Sequence, residues 1–118
     1  MNYNLIVLPD ASEDILDCAL WYLENHDPSG AISDAFIEAI EHTLERLKLS
    51  PEYHSIRHDD VRGVQVKRNA PKGQPRNFPH IIFYRFQTPD IVVIQVFPMK
   101  DDPSKVRQLW FYLTLLGS

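Results

Sequence analysis

The chain has 118 residues, 44% of them hydrophobic, and a formal net charge of −4, which points to one domain over 1–118 with enough apolar surface for a core. Its single cysteine, Cys18, excludes an internal disulfide and suits a reducing, cytoplasmic setting. The N-terminus lacks the basic start of a signal peptide, and the longest nearly uncharged apolar run, Leu109–Leu116, falls far short of the ~20 residues that cross a bilayer, so no membrane association is expected.

Residues 2–8 are rich in β-branched and apolar side chains and read as a strand that stops at Pro9. Asp10, with Glu13 three residues on, has the spacing of a capping box and opens a helix to about Asn25. Ala11, Ile15, Cys18, Ala19 and Tyr22 share one stripe at helical spacing, and Leu16, Leu20 and Leu23 are expected to broaden it. His26 to Gly30 breaks the helix. A second helix follows, on which Ile32, Ala35, Phe36, Ala39, Ile40, Thr43, Leu44 and Leu47 recur at the three/four spacing of a buried face, with Asp34, Glu38, Glu41 and Glu45 opposite. Ser50-Pro51 ends it, which gives an antiparallel helical hairpin.

Residues 52–60 read as a polar connection and 61–68 as an alternating strand. Residues 69–77 form a turn-rich loop that carries Lys72 and Arg76. Two strands, about 79–86 and 91–98, flank a Gln87-Thr88-Pro89-Asp90 turn and are apolar on both faces, as central strands are. Arg85 sits inside the first of them. A last helix is expected over 104–116, apolar nearly all round, with Trp110 and Phe111 among its large side chains. The order β-α-α-β-β-β-α predicts an α+β fold, an antiparallel sheet packed against the N-terminal helical hairpin.

The charge is unevenly spread. Residues 1–45 hold ten Asp/Glu and no Lys/Arg, whereas 46–118 hold all twelve Lys/Arg and six Asp/Glu. Acidic helices lying near a basic sheet account for part of this. Arg57, Arg62, Lys67, Arg68, Lys72, Arg76 and Arg85 nevertheless fall within 29 residues and are opposed there only by Asp59 and Asp60. Such a cluster suits a polyanion or an acidic protein segment, and its alternative role is to guard strand edges against pairing. The sequence has no phosphate-binding glycine loop, zinc-protease motif, cysteine pair or nucleophile elbow. The five histidines show no metal-ligand spacing, so no metal or cofactor is expected.

Several of these segments together resemble the ParE/RelE superfamily of type II toxin–antitoxin toxins. The residues that carry the resemblance are Val7-Leu8-Pro9-Asp10-Ala11-Ser12-Glu13-Asp14-Ile15, Trp21-Tyr22-Leu23, Ala35-Phe36 with Leu44 to Leu47, and above all Ile81 to Phe86 followed by Ile91 to Val96. It covers roughly residues 3–103. It implies a small toxin neutralised by a cognate antitoxin, with a homodimer or a toxin–antitoxin heterotetramer as the assemblies to expect. Family members divide by target: ParE-like proteins poison DNA gyrase, and RelE-like proteins cleave messenger RNA on the ribosome.

RNA cleavage by a 2′-hydroxyl needs a base, a cation on the phosphate and an acid for the leaving oxygen. Lys67, Arg68, Arg76, Arg85 and Lys100 are the candidates for that work. The Met99-Lys100-Asp101-Asp102 segment supplies no proton donor tuned to neutrality, since the ordinary lysine pKa is near 10.4. The sequence therefore favours a toxin that binds its target over a nuclease. Arg62, Lys67, Arg68, Lys72, Arg76, Arg85, Trp110 and Phe111 are the expected contacts to target or antitoxin. A non-toxic interaction module on the same fold is a third reading.

Overall fold

The computed structural model describes residues 3–25, 28–54, 56–67 and 77–98, with Arg57, His58 and Asn77 as backbone alone. The elements are β1 (Asn4–Val7), α1 (Pro9–Asn25), α2 (Ala31–Leu49), β2 (Ile56–His58), β3 (Val61–Lys67), β4 (Asn77–Gln87) and β5 (Asp90–Pro98). The expected C-terminal helix 104–116 lies outside the described residues, as does all but the last residue of the expected loop 69–77.

The five strands form one sheet in the order β1-β5-β4-β3-β2. From β2 to β5 the pairing is an antiparallel meander. β1 instead pairs parallel to β5, with Leu5 opposite Ile91 and Val7 opposite Val93, so the sheet is mixed and not wholly antiparallel as the sequence suggested. The reason is topological. The chain leaves β1 through the helical hairpin, enters the sheet at its far edge and meanders back, so its last strand reaches β1 running the same way. A parallel neighbour always needs such a crossover. The connection expected over 52–60 also contains a strand: β2 pairs with β3 around a tight turn in which Asp59 adopts a φ of 49°. Asp tolerates that left-handed conformation better than most residues.

The start of α1 differs from the expected capping box. Pro9 occupies the first turn, where its missing N–H costs nothing, and the Ser12 N–H donates to the Leu8 carbonyl at 3.0 Å. Asp10 lies within the first turn and there complements the helix dipole. On α1, Ala11, Ala19 and Tyr22 are buried and Ile15 and Cys18 pack against them. Leu16 and Leu20 do not extend that stripe, being 58% and 43% exposed. At 3.6 residues per turn Leu20 points away from the Ala11–Tyr22 side, and one covered face is all that α1 presents to the sheet.

On α2, Phe36, Ala39, Ile40, Thr43 and Leu47 are buried, and Ile32 in its first turn is exposed. Each large apolar side chain buried here contributes roughly 1.5–3 kcal/mol, more than any single propensity preference within the helix. Phe36, Ala39, Ile40 and Leu47 join Val64, Val66, Ile82, Tyr84, Ile91, Val93 and Val96 in the main core between helices and sheet.

Both faces of the central strands are apolar, as their sequences imply. A bulge sets this out: Phe83 pairs with Gln95 and Tyr84 with Val93, which leaves Ile94 extra on β5. Ile94 joins Val61 and Phe83 in a second, smaller cluster, packed by Ile81 and Phe97, on the face away from the helices.

Candidate functional site

The cations singled out in the sequence occupy distinct places. Arg62 pairs with Tyr84 on the helix-facing side of the sheet. Its guanidinium donates to the carbonyls of Glu52 (3.2 Å) and His54 (2.6 Å) and so ties the segment after α2 to β3. Arg85 pairs with Val61 and Val92 on the opposite face, at the rim of the second cluster. There its Nε lies 3.1 Å from Asp60 Oδ1. The two are close enough for Coulomb attraction, but the N–H is not aimed at the oxygen, and the buried Nε has no hydrogen-bond acceptor among the described residues. Because Asp60 is half exposed, this pair contributes at most about 1 kcal/mol.

Lys67 ends β3, five residues beyond Arg62 and roughly 17 Å away at about 3.4 Å per residue. Its side chain is exposed, and its backbone is fixed by α2. Thr43 Oγ1 accepts the Lys67 N–H at 3.0 Å and lies 3.1 Å from the Lys67 carbonyl and 2.7 Å from the Ala39 carbonyl. The hydroxyl has one proton to give and shares it between those two carbonyls. Arg68, Lys72, Arg76, Lys100, Trp110 and Phe111 lie outside the described residues. The structure therefore does not gather Arg62, Lys67 and Arg85 onto one phosphate-sized patch.

Between the last turns of α2 and the end of β3 is a cleft of about 560 Å³. Arg46 and Lys67 stand in its walls with His42, Tyr53 and His54. Thr43 docking on Lys67 sets the spacing, since Arg46 follows Thr43 by three residues and His42 by four, which puts all three on one side of α2. Among the described residues no Asp or Glu lines the cleft. His54 is held below the usual histidine range first by burial, then by the positive charges of Lys67, Arg46 and Arg62. Its ring therefore stays neutral near pH 7, and its edge packs at 6.4 Å from the ring of Tyr84.

Tyr84 is fully buried in the main core. Its hydroxyl donates to the Pro51 carbonyl, and burial pushes its pKa up to about 12, with Arg62 opposing. Tyr84 and Arg62 thus fix the 51–54 segment that brings Tyr53 and His54 to the cleft.

Arg46, His42 and Tyr53 were not among the residues that the sequence marked out. One signal was available: Arg46 is the first cation of the chain, after ten acids, and lies four residues from His42 on a helix. Among the described residues no group of three or more His, Cys, Asp or Glu is arranged to hold a metal, and no described helix is long and apolar enough to cross a membrane.

A helical hairpin laid on one face of a small meander, with the first strand added parallel at the edge, defines a class of compact α+β domains. Within that class the chain matches the model of the ParE toxin of type II toxin–antitoxin systems, parDE, over residues 5–103, and it belongs to that family. Among solved structures it is similar to a chain of the chromosomal ParDE TA system from P. aeruginosa, with a TM-score of 0.64 and 15% identity over 83% of this chain and 97% of that one. That likeness concerns the fold. No curated protein sequence matches significantly.

Proposed function

We propose that this chain is the toxin of a type II toxin–antitoxin pair, that it acts by binding an essential protein target of the DNA gyrase type, and that a cognate antitoxin neutralises it in the cytoplasm. Family membership supports the toxin role. The observation that carries the choice of mechanism is the separation of Arg85 from Lys67, the two candidates for RNA cleavage among the described residues: Arg85 pairs with Val61, six residues before Lys67 on β3. Cleavage of RNA requires cations to converge on one phosphate together with a base and an acid. Arg62 and Arg85 lie on opposite faces of the sheet, and the first donates to main-chain carbonyls while the second faces Asp60. That arrangement suits a rigid surface that docks a partner. The antitoxin would meet the basic side of the domain, where Lys67 is exposed.

The test is expression of the full chain alone and together with the product of the adjacent small reading frame. Growth arrest relieved by co-expression is expected, with a loss of gyrase supercoiling activity in the arrested cells. Normal growth despite soluble protein would overturn the toxin role. Codon-phased cleavage of messenger RNA with supercoiling intact would overturn the binding mechanism and leave the toxin role standing. Arg85→Ala separates a surface role from a structural one: toxicity and antitoxin affinity unchanged at unchanged stability would remove Arg85 from the contact surface.

A further inference from the structure

The α2–β3 cleft has properties that the toxin reading does not use. Its volume of about 560 Å³ lies inside the range of roughly 300–1,000 Å³ that small-molecule sites occupy. The chain carries a net charge of −4, yet none of the ten described residues lining the cleft is acidic. Arg46 and Lys67 come from different elements, and neither makes an ion pair among the described residues. The C-terminal end of α2, with its partial negative charge, accounts for a cation in the last turn. Lys48 is also in that turn and already pairs with Glu45 at 3.1 Å. The helix dipole gives no account of Lys67, whose position is set from β3 by two contacts to Thr43. At the same opening Tyr53 is 82% exposed, with its ring packed edge-on against His54 at 5.4 Å.

We infer that this cleft binds a nucleotide, with Arg46 and Lys67 holding the phosphate and Tyr53 offering a stacking face for the base. The division of labour follows from the chemistry. A phosphate monoester carries about −1.5 to −2 charges at pH 7. Arginine presents it with a planar fork of donors and lysine with a compact point charge. An aromatic ring at the mouth adds stacking that tolerates any base, the combination used where nucleic-acid strands are held without sequence preference. His54, kept neutral by burial and by its cationic neighbours, can donate or accept one hydrogen bond at the phosphate without adding charge. Ser50 and Gln65 complete the polar lining. The site stands whether or not the chain arrests growth, because its readout is binding.

The experiment is a titration of the full chain, followed by amide NMR, with AMP, inorganic phosphate, adenosine, a short single-stranded oligonucleotide and a Glu-rich peptide. AMP is expected to shift amides confined to 42–54 and 63–67 and to bind more tightly than phosphate or adenosine alone. Arg46→Gln and Lys67→Gln are each expected to weaken AMP roughly 10- to 100-fold. Lys48→Gln removes the same charge on the same helix outside the cleft and is expected to leave AMP binding unchanged. An oligonucleotide that binds more tightly than AMP with the same dependence on Arg46 and Lys67 identifies the source as a strand; otherwise the source is a free nucleotide. Absence of AMP-induced shifts, equal AMP affinity in the two cleft variants, or tighter binding of the Glu-rich peptide would each overturn the assignment.

Discussion

Thr43→Val tests how the helical hairpin is fastened to the basic end of the sheet. Valine keeps the volume and the β-branch of threonine, and the two have similar helix propensities, so neither a cavity nor a loss of helix accompanies the change. What is lost is the hydroxyl, which accepts the Lys67 N–H at 3.0 Å and lies 2.7 Å and 3.1 Å from the carbonyls of Ala39 and Lys67. The Ala39 carbonyl belongs to the middle of α2 and keeps its helical partner. The Lys67 N–H does not, and the bond it loses is part-buried against Thr43, so water replaces the hydroxyl only in part. An unsatisfied buried donor costs about 1–3 kcal/mol. For a domain of this size each kcal/mol shifts Tm by roughly 3–6 °C, so a fall of about 3–18 °C is expected. Urea unfolding followed by circular dichroism should show the lower midpoint with an unchanged slope. Hydrogen exchange should lose protection at the Lys67 amide first. A stability change below about 0.5 kcal/mol with Lys67 protection intact would refute the claim that Thr43 sets the position of Lys67.

Three further outcomes follow from buried titratable groups. Tyr84→Phe keeps the ring and orphans the Pro51 carbonyl, so denaturant unfolding should report a loss of about 1–2 kcal/mol. In the parent protein the Tyr84 pKa is raised from 10.0 to about 12. The native state therefore holds a proton that the unfolded chain has released, and stability present below pH 10 should fall as pH rises from 10 to 12; the Phe variant should lose that component. Asp14 accepts the Val96 N–H at 3.1 Å, yet its pKa is raised, chiefly by burial and also by Asp10, Asp17 and Glu13. Its charged form is a burden above pH 3.8, so Asp14→Asn, which retains an acceptor, should be at least as stable as the parent at pH 7 and lose that advantage below pH 3.8. A Tm series of both proteins from pH 3 to 7 checks this, and a less stable Asn variant at neutrality would count against it. For His54 the pKa is depressed from 6.5, so its contribution to stability is present above pH 6.5 and lost as pH falls through the folded value. NMR titration of the imidazole should show that value rising towards 6.5 in Lys67→Gln and in Arg46→Gln, and no movement would mean that the two cations do not face it.

Local pattern alone was enough for the elements that carry most of the core. The three/four spacing from Phe36 to Leu47 and the apolar runs of β4 and β5 identify their structures, because burying one helical face or both faces of a strand leaves a periodic mark. The resemblance to the family rested on the same segments. Where periodicity is weak the reading failed: Ile56–His58 is too short and too polar to register as a strand until β3 pairs with it. Leu16 and Leu20 are apolar yet exposed, because composition does not say how wide a face the neighbouring sheet covers.

The site depended still more on the tertiary structure. Arg62, Lys67 and Arg85 are neighbours in sequence terms and share one meander. Strand alternation and length nevertheless put Arg62 and Arg85 on opposite faces and Lys67 at a far end. Arg46 carried no mark in the sequence beyond being the first cation, and it became Lys67's companion only through Thr43, 24 residues before Lys67. The sequence by itself determined the fold class, the helical hairpin, the meander and the family, because these follow from short-range spacing of apolar residues. Which charges converge, and which are taken up within the molecule, was decided by strand register and helix docking, because electrostatic partners are chosen by distance in space.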